Sequence, residues 1–138
     1  MQPESPMQPE SREFLTQDQL QRTADSIVDQ QLRSGMIPWF PDGHADPWNH
    51  IEAAMALGSA GRIPAAQAAF QWLTDAQRSD GSWHHYYMAG GVEDAKVDTN
   101  CCAYVATGVW HHYLLTRDTG FLDVMWPVVR RALDFVVT

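Results

Sequence analysis

Apolar residues recur at three- and four-residue spacing in five runs along the chain, the period of a helix with one buried face. The first run, Leu20, Ala24, Ile27, Val28 and Leu32, follows a capping box of Thr16 and Gln19 and stops at Gly35. Asp46 and Pro47 give an N-cap and a first-position proline to a second helix that reaches about Ser59, with an Ala-rich surface suited to close packing. Gly58 and Gly61 break it. Pro64 opens a third helix through Ala68, Phe70, Trp72, Leu73 and Ala76 to Gln77. Asp98 or Thr99 caps a fourth, which runs through Tyr104, Val105, Gly108, Val109 and Trp110 to about Thr116, and a fifth extends from near Thr119 to Thr138. Pro127 inside the fifth predicts a kink or a break into two pieces.

Short turns alternate with two long loops, Met36–Ala45 and Trp83–Val97, both rich in aromatic and acidic residues. Pro41-Asp42-Gly43 before Asp46-Pro47-Trp48-Asn49 parallels Ser79-Asp80-Gly81 before Asp98-Thr99-Asn100, so the chain reads as repeated helical hairpins with their long connections on one face. The small-residue helices two and four form an inner layer covered by helices one, three and five. Trp72, Trp110 and Trp126 lie on apolar helix faces and are expected in the core. The opening Met1–Ser5 is repeated at Met7–Ser11 without any hydrophobic period, which predicts a disordered tail over residues 1–14.

The composition is 45% hydrophobic with only 19% charged residues, too apolar for disorder. No apolar run approaches the roughly 20 residues that span a bilayer, and the polar, Pro-rich start lacks the pattern of a secretory signal, so a cytoplasmic location is expected. The two cysteines, Cys101 and Cys102, are neighbours and do not form an ordinary disulfide with each other. Net charge is −8 and the nine Lys and Arg are scattered, which argues against a nucleic-acid partner.

The segment Ala69–Trp83, with Gln77, Gly81 and Trp83, resembles the Gln-to-Trp repeat of terpene cyclases and protein prenyltransferases, which fold as αα-toroids. The longer stretch Val97–Phe135 is similar to the six-hairpin glycosidases, the glucoamylase-like group: an inner helix opened by an acidic residue, then Tyr113-Leu114-Leu115-Thr116 with Asp118 in the turn, then Trp126-Pro127 before an outer helix. The second match covers more of the chain. Both imply an all-α fold of repeated helical hairpins, with residues 15–138 as the N-terminal part of an (α/α)6 toroid. The five helices read here fall short of a complete ring, which predicts an exposed apolar patch, self-association or a missing C-terminal part. The Asp-rich acid motif of squalene-type cyclases is absent, and the resemblance places the catalytic carboxylates of the glycosidase group beyond Thr138, leaving the catalytic residues unknown.

In such folds the long loops meet the N-terminal ends of the inner helices, where free N–H groups favour anions and oriented hydroxyls. A sugar site combines flat rings with carboxylates and amides. The substrate-binding candidates are therefore Trp39, Asp42, His44, Asp46, Trp48, His50, Asp80, Trp83, His84 and Asp98, with Phe40, Asn49 and Glu52 beside them. Asp46 holds the place of the acidic residue that anchors the terminal sugar in glucoamylase-like enzymes. Asp46 and Asp98 are equally well explained as helix N-caps, and Asp42-Gly43 and Asp80-Gly81 as turns; Glu93-Asp94 reads as a solvated pair. No His-Glu-x-x-His or Cys-x-x-Cys motif occurs, and Asp98 with Cys101 or Cys102 does not match the spacing of a prenyltransferase zinc site, so no metal and no cofactor are expected. The expected function is a carbohydrate-active protein of six-hairpin type, inverting in its complete form, with a saccharide as small-molecule substrate and this chain supplying binding loops. The alternatives are an isoprenoid-handling prenyltransferase or terpene cyclase, whose rings stabilise carbocations, and a non-catalytic helical-hairpin binding module.

Overall fold

The periodic runs fold as helices, and side chains close their ends. The computed structural model describes residues 14–138 as α1 (Gln17–Gln30), α2 (Pro47–Ser59), α3 (Ile63–Ala76), β1 (Tyr86–Met88), β2 (Gly91–Asp94), α4 (Thr99–Thr116) and α5 (Thr119–Val137). The tail expected over residues 1–14 lies outside the described residues except for Phe14. Thr16 and Gln19 form the reciprocal capping box, Asp46 and Asp98 accept from the first backbone N–H groups of α2 and α4, and Asp118 caps α5. α3 has no side-chain cap; Pro64 in its first turn removes one N–H that would need a partner. The chain is therefore mostly helical, with one small antiparallel β1–β2 ribbon inside the second long loop.

Contacts between α2 and α4 run in register: Trp48 stacks on Tyr104, Ile51 meets Gly108, and Gly58 meets Leu115. These two helices are thus parallel, with their N-terminal ends together. A Cβ on Gly108 would lie 2.5 Å from Ile51 Cγ2, so glycine is what lets the inner pair approach this closely. α3 packs on α2 and α5 on α4, while α1 covers the far side of α2, where Gln21 Nε2 donates to the Ala60 carbonyl. The shared core includes Ile51, Leu57, Phe70, Leu73, Val105 and Met125.

Two expectations need correction. Of the kink or break expected at Pro127, the break into two pieces does not occur: α5 is one helix on both sides of the proline. Pro127 lies on the exposed face with Asp123 and Trp126, where a carbonyl that loses its N–H partner is within reach of solvent. Trp72 is buried as expected, but Trp110 and Trp126 are 54% and 55% exposed. Each sits one residue from a buried position, about 100° around its helix, on a face that no described element covers.

α1 stops at Gln30, short of the glycine that was expected to end it, because Gln31 turns to an extended conformation and spends its side chain on the turn. Gln31 Nε2 donates to the Gly35 carbonyl at 3.0 Å and to Ala65 of α3 at 2.9 Å. Gln77, just past α3, does the same: its Nε2 donates to Gly81 at 3.1 Å and to Val128 of α5 at 2.9 Å. Gly35 and Gly81 have φ of +94° and +93°, and a Cβ on either would lie 2.1 Å from a backbone oxygen of the next outer helix, Ala68 or Arg131. Only glycine fits there, for conformation and for space. The repeat unit is thus an outer helix, a glutamine clamp, a long loop and an inner helix, with the clamp reaching forward to the outer helix that follows.

His50 ties the first unit to the second. It is fully buried on α2; its Nδ1 accepts from the Ile37 N–H at 3.1 Å, so Nε2 carries the proton and donates to the Ala69 carbonyl of α3 at 2.8 Å. Burial pushes its pKa down to about 4, opposed by the Ala69 bond and the Asp46 charge. His112 on α4 lies between Phe70 and Phe121, and burial lowers its pKa as well.

Two predictions follow from these contacts. Replacing Gln31 by Ala should cost about 1–3 kcal/mol in urea unfolding, and Gln31→Glu more, since a carboxylate oxygen would then face two carbonyl oxygens. The His50 pKa is lower folded than unfolded, so its contribution is present above the unfolded value near 6.5 and is lost as pH falls toward about 4. The wild type should lose on the order of 3 kcal/mol of stability across that window from this group, and His50→Gln should flatten the slope, leaving the part due to His112.

Candidate functional site

The two clamps direct both long loops to the end of the molecule where α2 and α4 begin. There the loops join: Ala45 and Tyr87 exchange backbone hydrogen bonds at 2.8 Å each, an isolated antiparallel bridge. The first loop folds back on itself through Trp39 N–H to the His44 carbonyl at 2.8 Å, with Asp42 at φ +61° and Gly43 seated against the Phe40 ring. The fold-back gathers a ring cluster. His44 stacks on Tyr86 with centroids 4.3 Å apart, Trp39 meets both edge-on, and His85 packs edge-on against Tyr86. His44 Nδ1 donates to Glu93 of the β-ribbon at 2.9 Å, so Glu93 is a partner to the cluster and not simply solvated.

Asp46 is buried under this cluster and fixes it. One oxygen caps α2 through the Asn49 N–H at 3.0 Å, while the other accepts from Trp39 Nε1 at 2.6 Å and from Asn49 Nδ2 at 2.7 Å. The N-cap reading is therefore correct but incomplete, because the same carboxylate also holds an exposed tryptophan and an amide in place. Trp39 and Asn49 line a cavity of about 350 Å³ whose other walls are Ile27, Gln30, Ile37, Pro38 and Ala53.

A second polar-aromatic group lies on the α2 and α4 surface facing away from the core. Trp48 and Tyr104 stack at 3.9 Å and 8°, and Glu52 accepts from Trp48 Nε1 at 3.0 Å and from the Tyr104 hydroxyl at 3.3 Å. Burial, then the Glu52 charge, raises the Tyr104 pKa, so its hydroxyl stays protonated as the donor. Between the helix starts, one donor atom each of His85, Asp98 and Cys101 lies within 4.8 Å of the others. Cys101 is pushed up to about 11, mainly by burial and then by the Asp98 and Asp46 charges, while the Trp48 backbone N–H favours its thiolate. Cys102 is buried in the core.

The structure thus brings together Trp39, His44 and Asp46, with Trp48 and Asp98 nearby at the helix starts. The other expected residues go elsewhere. His50 faces the core with both nitrogens engaged, and Trp83 is 1% exposed with its Nε1 donating to the Leu73 carbonyl at 2.9 Å. Asp42 is exposed on its turn. Asp80 is held by the Ser82 hydroxyl and N–H, which lower its pKa, with Arg78 3.6 Å away. His84 donates from Nδ1 to the Ala95 carbonyl at 3.0 Å, bracing the base of the ribbon. Tyr86 and Tyr104 were missed. The available signal for Tyr104 was its place six residues after the Asp98 cap, matching Glu52 six residues after the Asp46 cap.

No protein-family model matches the sequence. The chain is 55% identical over 123 residues to a protein of Mycolicibacterium hassiacum named MMP endo-(1,4)-3-O-methyl-alpha-D-mannosidase, a match that takes in 89% of this chain and 34% of that protein. It is 35% identical over 63 residues, 43% of the chain and 11% of the relative, to a copalyl diphosphate synthase of Streptomyces anulatus. The chain therefore spans about a third of the first relative's length and about a tenth of the second's.

Proposed function

We propose that this chain forms part of the saccharide-binding wall of a glycoside hydrolase acting on α-1,4-linked mannosides carrying 3-O-methyl groups. The observation that carries the reading is the pairing of partly exposed rings with carboxylates and an amide at the starts of α2 and α4, in a chain more than half identical to a mannosidase over most of its length. Flat rings cover the apolar faces of sugars, and carboxylates and amides match their hydroxyl pairs. In the cavity beside Trp39, Ile27, Ile37, Pro38 and Ala53 offer apolar contact for a methyl ether, while Gln30 and Asn49 offer hydrogen bonds to neighbouring hydroxyls.

Asp46 and Glu52 are committed to protein donors, which suits them to positioning rings and hydroxyls. Inverting hydrolysis needs a second pair of carboxyl groups about 6.5–9.5 Å apart, one donating a proton and one activating water. In this reading they belong to other hairpins of a complete (α/α)6 toroid, with α2 and α4 in its inner ring. The match to a diphosphate synthase keeps an isoprenoid-handling role as the second reading. The charge of the site weighs against it: Asp46, Glu52, Glu93 and Asp98 surround the rings, whereas a diphosphate needs cations.

Saturation-transfer NMR with 3-O-methylmannose oligosaccharides, unmethylated mannose oligosaccharides and geranylgeranyl diphosphate tests the proposal. Methylated saccharides should bind best. Trp48→Ala and Glu52→Gln should each weaken binding about tenfold, the scale of one ring contact or one hydrogen bond to a charged group, with little change in melting because both side chains are exposed. Preferential diphosphate binding, or saccharide binding unchanged in both variants, would overturn it.

A further inference from the structure

The geometry points to a divalent transition-metal site of zinc type at His85, Asp98 and Cys101, with three protein ligands and an open fourth position. It stands on these three side chains and does not depend on the saccharide reading. Asp98 and Cys101 are three residues apart across the N-cap and first turn of α4, so their side chains lie on one face. His85 comes from the opposite wall, the residue before β1, and its ring is oriented by edge-on packing against Tyr86 at 4.2 Å. One donor atom from each residue lies within 4.8 Å of the other two. A tetrahedral zinc with Zn–S near 2.3 Å and Zn–N near 2.0 Å sets its ligands about 3.5 Å apart, so side-chain rotation of about 1 Å closes the triangle.

The donors are free to do so. Among the described residues neither ring nitrogen of His85 makes a hydrogen bond, and Asp98 uses only Oδ1 for its cap, accepting from Asn100 at 2.8 Å and Cys101 at 3.4 Å. Its Oδ2 remains for a metal. A sulfur, an imidazole nitrogen and one carboxylate oxygen favour zinc or cobalt(II) over calcium or magnesium, which take oxygen shells. The thiolate and carboxylate neutralise the dication, and binding releases the thiol proton to solvent. The bound ion would pin the β1–β2 ribbon to the start of α4, closing the segment from 85 to 98. Three protein ligands leave the fourth position of a tetrahedral ion to water or to a ligand oxygen.

The test is titration of the chelator-stripped protein with cobalt(II), followed by absorbance and by thermal melting. One equivalent should produce a sulfur-to-cobalt charge-transfer band with the intense visible bands of a tetrahedral ion, should raise the melting temperature, and should be displaced by zinc. Cys101→Ser should abolish the charge-transfer band, and His85→Ala should weaken zinc binding at least about 100-fold. Asp98→Asn keeps a competent N-cap, so α4 should remain folded by circular dichroism while affinity falls at least about tenfold. The absence of the band in excess cobalt, its survival in Cys101→Ser, or unchanged affinity in folded His85→Ala and Asp98→Asn would overturn the site.

Discussion

The fold depends on a side-chain amide that completes two backbone structures at once. Gln31 and Gln77 each donate to the carbonyl of a glycine in their own turn and to a carbonyl of the next outer helix. A turn that leaves a helix exposes carbonyls that water cannot reach once the next helix packs on it, so a fixed donor pair is needed there. Glutamine supplies both protons from one nitrogen. Because the glycine beside it is pressed against the following helix, the exit angle of each loop is set by a neighbour already in the core.

The site inherits this order. Both loops leave their clamps toward the N-terminal ends of α2 and α4, and the Ala45–Tyr87 bridge makes them one surface. Asp46 then does for the first loop what the glutamine does for the turn: one carboxylate accepts from the helix, an amide and an indole, so a helix start and a ring position share one cause. Ring–carboxylate pairing recurs on the inner helices, where Glu52 joins Trp48 and Tyr104. The surface is orderly because each aromatic N–H or O–H that orients a ring is held by a residue whose own place is set by a helix.

Local chemistry was legible in the sequence and long-range partnership was not. Thr16, Asp46, Asp98 and Pro64 marked helix starts because a cap acts within three residues, and the apolar period marked the core positions of α2 and α3. The importance of Gln77, Gly81 and Trp83 came through a resemblance, while the same clamp at Gln31 and Gly35 passed unseen because Ile37 stands where the second unit has Trp83. Trp83 looked like a loop residue and is core, since its indole N–H finds a helix-end carbonyl four residues before Gln77. His50 looked like a ligand-facing histidine because polarity in a helix start suggests a site; its partners, Ile37 and Ala69, lie 13 and 19 residues away. Trp110 and Trp126 had the right period for burial, but no neighbour among the described residues buries them.

The forward reach of the clamps gives the architecture a direction. Gln31 needs α3 and Gln77 needs α5, so each unit is finished by its successor and none by its predecessor. Duplication of one such unit in tandem yields a chain that extends in one sense only, because every added outer helix satisfies a glutamine already waiting and brings another. A unit grafted in reverse order, or one whose successor has been deleted, would keep its own helices and lose the carbonyl that its amide was built to meet. Circular permutation of the chain would cut the clamp at whichever junction it opened, and that junction would be the weakest seam between units.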